Sequence, residues 1–215
     1  MRRRQFLSAS AIAGITIGLT PSLPRATASP TLLKPLRLRP GDSLGIISPA
    51  GANFQQEELD IVVDAVKGLG LVPQIAPHAM SRYGYLAGTD AERAADFNAF
   101  FADPAIKALM PIRGDWGSAR ILPYLDYDLI RQNPKVLVGF SDITALLLGI
   151  HAQTGLVTFH GPHGLTAWRS DQTQPFHQLL FEGAAQRFEN PQLGEDADRL
   201  MQTRGRIQTI TPGQA

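Results

Sequence analysis

The chain has 215 residues, of which 44% are hydrophobic and 18% are charged, which is typical of a globular protein with one α/β domain or two small ones. It contains no cysteine, which excludes disulfides, thiolate zinc sites and cysteine nucleophiles. Its formal charge of +1 depends on four arginines within residues 1–28, a stretch without acidic residues. The remaining chain has 16 basic and 19 acidic residues, so we expect no nucleic-acid partner.

The first 28 residues have the layout of an export signal. Arg3 and Arg4 precede a short apolar run that extends to Leu19, and a small-residue A-x-A site ends at Ala28. The run is too short and too weakly apolar to be a stable membrane span. We therefore predict a twin-arginine signal peptide over residues 1–28. The protein should be exported to the periplasm or elsewhere outside the cytoplasm, and it should have no stable membrane span after cleavage. An uncleaved membrane anchor is the alternative.

Apolar runs and segments of helical periodicity alternate along residues 42–165, after a Pro- and Leu-rich arm over residues 29–41. Pro73 places the second predicted strand at an edge of the sheet. The predicted strands are residues 42–48, 71–75, 107–112, 135–140 and 156–159. Five helices are predicted. The first has Asn53 as its N-cap and extends to Gly68, and the second has Thr89 or Asp90 as its N-cap and extends to Ala102. The third ends at Leu125, and the other two cover residues 142–151 and 176–181.

This alternation predicts an α/β fold, a parallel sheet covered by helices. In such sheets a ligand binds at the carboxyl ends of the strands. Three turns that follow strands should therefore gather at one edge, namely Ser48–Gly51, Arg113–Gly117 and Gly139–Asp142.

Ser141 stands where the fourth predicted strand runs into a helix. A serine on such a turn has its hydroxyl lifted clear of the sheet, at the positive end of the helix. Gly139, two residues earlier, allows a tight bend and keeps a side chain away from an incoming substrate. Ser141 is thus a candidate nucleophile, and the alternative is that it only caps the helix.

Six short motifs between Asp42 and Pro162 together point to a known family. Each is weak alone, but they follow one another in the family's order over more than half of the chain. The chain resembles the LD-carboxypeptidases, serine peptidases that trim murein tetrapeptides, with the microcin-immunity proteins as relatives. The motifs are Ile47–Gly51, Gly88–Arg93, Arg113–Gly117, Leu122–Asp126, Gly139–Thr144 and Thr154–Pro162.

The resemblance implies a flavodoxin-like or class I amidotransferase-like three-layer domain that uses no metal and no organic cofactor. In the family the serine of the Gly-x-Ser-Asp turn is the nucleophile, which here is Ser141. The backbone amides of Asp142 and of the turn at Gly114 would form the oxyanion hole. Ser48 and Trp116 are the candidate substrate-binding residues.

Two departures from the family pattern stand out. The family usually has two adjacent glycines where this chain has Gly114-Asp115, so a positive φ at Asp115 would carry strain. Family members also continue into a second domain that supplies the glutamate and histidine of a Ser-His-Glu triad. We therefore expect an α/β nucleophile domain over residues 42–165. Residues 166–215 should contain a linker and the truncated start of a second domain, with a strand near 204–210. The triad should be incomplete.

The expected function is release of the terminal D-alanine from a murein tetrapeptide, with a second domain or a homodimer partner completing the protein. His160 or His163 could serve as the base only if the fold brings it to Ser141. A catalytically inactive murein-peptide-binding module, with Trp116 and Trp168 as contacts, or a non-functional fragment, is the alternative. Zinc binding by His160 and His163 is disfavoured, because no Asp or Glu near them forms a ligand pattern. Nucleotide binding is disfavoured, because no glycine-rich phosphate-binding motif follows a predicted strand.

Overall fold

The computed structural model describes residues 31–185, which form a five-stranded parallel sheet flanked by helices. This confirms the predicted α/β class. The sheet order is β2-β1-β3-β4-β5, and Pro73 lies in the edge strand β2, as expected. The predicted signal peptide and the predicted strand near 204–210 lie outside the described residues. The strands are β1 (Ser43–Ile47), β2 (Val72–Ile75), β3 (Ile106–Pro111), β4 (Val136–Gly139) and β5 (Phe159–His160).

The helices lie between the strands, with one more after β5. Short 3-10 turns cover Ser118–Tyr124 and Ser141–Ile143, and a π-type turn covers Gln178–Glu182. The short helix α3 was not predicted, although Asp126 caps it by accepting a hydrogen bond from the Leu129 amide at 2.9 Å. The helices are α1 (Gln56–Gly68), α2 (Asp90–Ala102), α3 (Tyr127–Gln132), α4 (Thr144–Thr154) and α5 (Ser170–His177).

Helix α1 packs on the sheet through the predicted apolar stripe, but it starts later than predicted. Leu59, Val62 and Val66 are buried. Gln55 occupies the N-cap position, so the prediction of Asn53 as N-cap was wrong. The side-chain Nδ2 of Asn53 instead donates to the Ser48 hydroxyl at 2.9 Å, a tertiary contact that the local sequence does not reveal.

Helix α2 begins as predicted, with a reciprocal capping box. The Thr89 hydroxyl accepts from the Glu92 amide at 3.3 Å, and the Glu92 carboxylate accepts from the Thr89 amide at 2.7 Å. Phe97 and Phe101, which are fully buried and stacked with ring centroids 5.1 Å apart, anchor the helix in the core. The cap therefore fixes the start of α2, and the buried aromatic pair holds the rest of the helix in the core.

The predicted arm and the segment after residue 166 both pack on the sheet domain. Leu38 is 2% exposed, and its amide donates to the Leu180 carbonyl at 2.9 Å. The predicted strand over 156–159 is only partly formed: β5 covers Phe159–His160, and Leu156 makes an isolated parallel bridge with Leu33. The predicted domain boundaries stay predictions. Within residues 31–185 no helix is both long enough and apolar enough to span a bilayer.

Candidate active site

Ser141 follows β4 by two residues and opens the 3-10 turn that leads into α4. Its φ of +60° lies in the left-handed region, which costs a residue with a Cβ roughly 1–2 kcal/mol. The side chain is exposed, while β4 before it and Ile143 after it are buried. The buried flanks hold the strained turn in place, and this is the geometry of a serine presented to a ligand.

Gly114 lies directly against this serine. A Cβ placed on Gly114 would be 3.4 Å from the Ser141 Cβ and 3.5 Å from the Asp142 nitrogen. The Gly51 amide donates to the Gly114 carbonyl at 3.1 Å, which joins the turn after β1 to the turn after β3. The three turns therefore meet at one edge of the sheet, as their sequence order predicted.

Asp115 adopts the second strained backbone conformation of the site, with φ at +69°. Strain at this position was expected from the sequence, because a residue with a Cβ follows Gly114 in this turn. The Asp115 carboxylate accepts from Arg113 Nε at 2.8 Å and packs closely on Gly51. Asp115 is thereby held as part of the wall beside Ser141.

A cleft of about 230 Å³ opens over Ser141. His163 lines it and stacks on Phe140, with ring centroids 4.3 Å apart and planes 11° apart. Burial lowers the pKa of His163 below its ordinary value, and the nearby positive charge of Arg113 adds to this effect. In the described part of the chain the Ser141 hydroxyl makes no hydrogen bond to this or any other histidine. His160, on β5, is exposed.

The two candidate substrate-binding residues differ in accessibility. Trp116 is 77% exposed at the rim of the turn after β3. Ser48 is 4% exposed, and its hydroxyl donates to the Ala79 carbonyl at 2.7 Å. The Ser48 hydroxyl is thus used inside the fold to fix the turn after β1, and the assignment of Ser48 to substrate binding stays a prediction.

Arg93 supports the site, a role that was not predicted from the sequence. Its side chain is fully buried and donates to the carbonyls of Pro49 and Gly117, so one guanidinium ties the turn after β1 to the turn after β3. Asp90 pairs with Arg93 and also with Arg120, whose charge and hydrogen bonds hold the pKa of Asp90 below its ordinary value. The Asp-x-x-Arg spacing at the start of α2 was the available signal.

The described residues around Ser141 do not form a metal centre. Among residues 31–185, no three side chains of the ligand types His, Cys, Asp and Glu lie together in a way that could hold an ion. The described residues that line the Ser141 cleft instead offer a hydroxyl, backbone amides, one arginine, two carboxylates and the imidazole of His163. This set suits acyl-transfer chemistry at a serine.

Comparison with known proteins gives carboxypeptidases and a microcin self-immunity protein among the relatives. The chain is 39% identical over 149 residues to a probable murein peptide carboxypeptidase of Bacillus subtilis, covering 69% of this chain and 46% of that protein. It is 35% identical over 120 residues to the murein tetrapeptide carboxypeptidase of Pseudomonas aeruginosa, covering 55% of this chain and 38% of that protein. The crystal structure of an MccF-like protein from Bacillus anthracis superposes with a TM-score of 0.65 at 35% identity, over 69% of this chain and 47% of that one.

The chain therefore spans less than half the length of these relatives. Residues 44–161 match the model of the LD-carboxypeptidase N-terminal domain, which covers more than half of the chain and includes all three turns of the site. The resemblance found in the sequence motifs is thereby confirmed, and the chain belongs to the family defined by the LD-carboxypeptidase N-terminal domain.

Proposed function

We propose that this chain is the nucleophile-bearing domain of an LD-carboxypeptidase that removes the terminal D-alanine from murein tetrapeptides. The observation that carries the proposal is the strained, exposed Ser141 at the end of β4, with Gly114 packed against it. A Cβ-free position beside a serine leaves room for a carbonyl group at that serine. The names of the Bacillus subtilis and Pseudomonas aeruginosa relatives support a murein peptide as substrate.

In the proposed reaction the Ser141 hydroxyl oxygen attacks the carbonyl carbon that precedes D-alanine. The C–N bond then breaks, D-alanine leaves with the proton taken from the serine, and water hydrolyses the acyl-serine. The backbone amide of Asp142 and an amide of the Gly114 turn are the proposed donors to the oxyanion. One such donor is typically worth about 3–4 kcal/mol of transition-state stabilisation.

The general base of this reaction is proposed to come from a second domain. In the described residues no histidine hydrogen-bonds Ser141, and the burial-lowered pKa of His163 makes its ring a weak proton acceptor. A serine hydroxyl without a base is a poor nucleophile. The family pattern, in which glutamate and histidine follow this domain, supports the same assignment. Export by the twin-arginine signal, which would bring the protein to the murein, remains part of the proposal.

The experiment measures D-alanine release from a murein tetrapeptide. Two proteins are assayed: the chain alone, and a fusion of the chain to the C-terminal part of the Bacillus subtilis relative, the part that lies outside the matched region. We expect little release from the chain alone, turnover by the fusion, and loss of several orders of magnitude in the fusion with Ser141→Ala. The matched control, Ser170→Ala in the first turn of α5, should keep the rate. An ordinary enzymatic rate for the chain alone, or activity that survives Ser141→Ala, would overturn the proposal.

A further inference from the structure

Arg113 lies on the wall of the Ser141 cleft between two carboxylates. Its Nε donates to Asp115 Oδ2 at 2.8 Å and its Nη2 to Asp115 Oδ1 at 3.2 Å, while Nη1 approaches Glu58 Oε1 at 3.4 Å. All three side chains are partly exposed, and all three line the cleft with Ser141. The cluster therefore combines one positive and two negative charges beside the candidate nucleophile.

The guanidinium of Arg113 retains unused donors. Asp115 occupies its Nε–Nη2 edge and Glu58 takes one N–H of Nη1. A guanidinium has five N–H groups, so within residues 31–185 one N–H on each terminal nitrogen is uncommitted. Two terminal N–H groups of an arginine match the two oxygens of a carboxylate.

Glu58 retains an unused acceptor in the same way. Its Oε2 accepts from the Phe54 amide at 3.0 Å, which anchors the side chain at the start of α1. Among residues 31–185, the one partner of its Oε1 is Arg113, at the long distance of 3.4 Å. A hydrogen bond at 3.4 Å is weak, so this oxygen can accept from a better donor such as an ammonium group.

The charge balance favours a ligand that carries both signs. A carboxylate alone would make the local charge more negative, from −1 to −2, and an ammonium alone would lie beside the like charge of the Arg113 guanidinium. A group with an ammonium and a carboxylate on the same carbon leaves the local charge unchanged and pairs each of its ends with an opposite charge. The ammonium and the carboxylate of such a group lie only a few ångströms apart, which is comparable to the 3.4 Å between Glu58 Oε1 and Arg113 Nη1.

We propose that Glu58, Arg113 and Asp115 form a subsite for the zwitterionic end of an amino acid, with its carboxylate on the terminal nitrogens of Arg113 and its ammonium on Glu58 Oε1. The inference rests on the proposed function, because it assigns one group of the substrate to the cleft of Ser141. Diaminopimelate in a murein peptide carries such a group at its side-chain end. The strained backbone of Asp115 has a use in this arrangement, since its carboxylate orients the guanidinium.

The test measures binding to the 215-residue chain by calorimetry, so it needs no turnover. The probes are meso-diaminopimelate, pimelate, which lacks both amines, and 1,5-diaminopentane, which lacks both carboxylates. We expect diaminopimelate to bind about tenfold more tightly than either half-ligand, and Glu58→Gln and Arg113→Gln each to weaken it by about tenfold or more. The control Arg131→Gln, at an exposed arginine of α3, should leave the affinity unchanged.

Glu58→Gln keeps the size of a partly exposed side chain, so it tests the subsite even if Arg113→Gln fails to fold. Equal affinity for diaminopimelate and pimelate, binding that Glu58→Gln leaves unchanged, or no binding to the unaltered chain at millimolar probe would each overturn the inference. Binding as expected, together with a fusion that releases no D-alanine, would instead refute the proposed function and leave the subsite standing.

Discussion

Ser118 donates two hydrogen bonds to Asp142, the residue that follows the candidate nucleophile. The Ser118 amide donates to Asp142 Oδ2 at 2.7 Å, and the Ser118 hydroxyl donates to the Asp142 carbonyl at 2.6 Å. Ser118 directly follows the turn that contains Gly114, and Asp142 directly follows Ser141. These two bonds therefore join the turns that carry both proposed oxyanion donors.

Ser118→Ala should lower the free energy of unfolding by about 1–3 kcal/mol, because the residue is fully buried and its loss leaves the Asp142 carbonyl without that donor. Urea denaturation of the unaltered chain and of the variant measures the change in the free energy of unfolding. The control Thr173→Ala removes a hydroxyl that donates to the Arg169 carbonyl in an exposed setting, and should cost less than about 0.5 kcal/mol. Equal costs for the two variants would show that the Ser118–Asp142 connection adds nothing to the fold.

Replacing Ser141 by glycine and by alanine separates its backbone strain from its chemistry. At φ +60° glycine is unstrained and alanine is not, so Ser141→Gly should be more stable than Ser141→Ala by about 1 kcal/mol. The matched pair Asp60→Gly and Asp60→Ala, within α1, should show the opposite order by a similar amount. If alanine is the more stable choice at both positions, Ser141 is not held in the left-handed conformation.

The pH dependence of stability should contain a contribution from His163. Its pKa in the folded state is lowered from 6.5 by burial, so the unfolded chain binds more protons below that pH. The stabilisation is present above pH 6.5 and is lost as the pH falls through the lowered pKa. The variant His163→Phe keeps a ring on Phe140 and removes the titration. The free energy of unfolding of the unaltered chain minus that of this variant should fall between about pH 7 and pH 5. A difference that stays constant or grows on acidification would contradict this account.

Export should depend on the twin-arginine pair. Changing Arg3 and Arg4 to lysine should leave the protein inside the cell, whereas Arg25→Lys, outside the pair, should not affect its location. Cell fractionation measures both, and amino-terminal sequencing of the exported protein should begin at Ser29. Unimpaired export of the double variant would remove the twin-arginine interpretation.

The sequence predicted those features that depend on local pattern. Apolar runs gave the positions of β1, β3 and β4, and Thr89 with Glu92 gave the start of α2. The meeting of the three turns followed from parallel strand order, since all carboxyl ends then share one edge. Features of this kind need no knowledge of which side chains meet across the fold.

The remaining features arise from contacts between distant segments. Asn53 has the residue type of an N-cap, but it bonds Ser48 instead. Arg93 is buried because two carbonyls from separate turns converge on it. His163 reaches the Ser141 cleft because its ring stacks on Phe140. No local pattern encodes such meetings, so the three-dimensional arrangement was required to find them.

The most direct test of the central claim is covalent labelling of the nucleophile. Diisopropyl fluorophosphate is added to the chain fused to the C-terminal part of the Bacillus subtilis relative, and the labelled residue is located by mass spectrometry. An activated serine oxygen displaces fluoride from phosphorus, so we predict a single adduct, on Ser141, that forms faster in the fusion than in the chain alone and is absent after Ser141→Ala. An adduct on another residue, or labelling at an unchanged rate after Ser141→Ala, would contradict the assignment of Ser141 as the nucleophile.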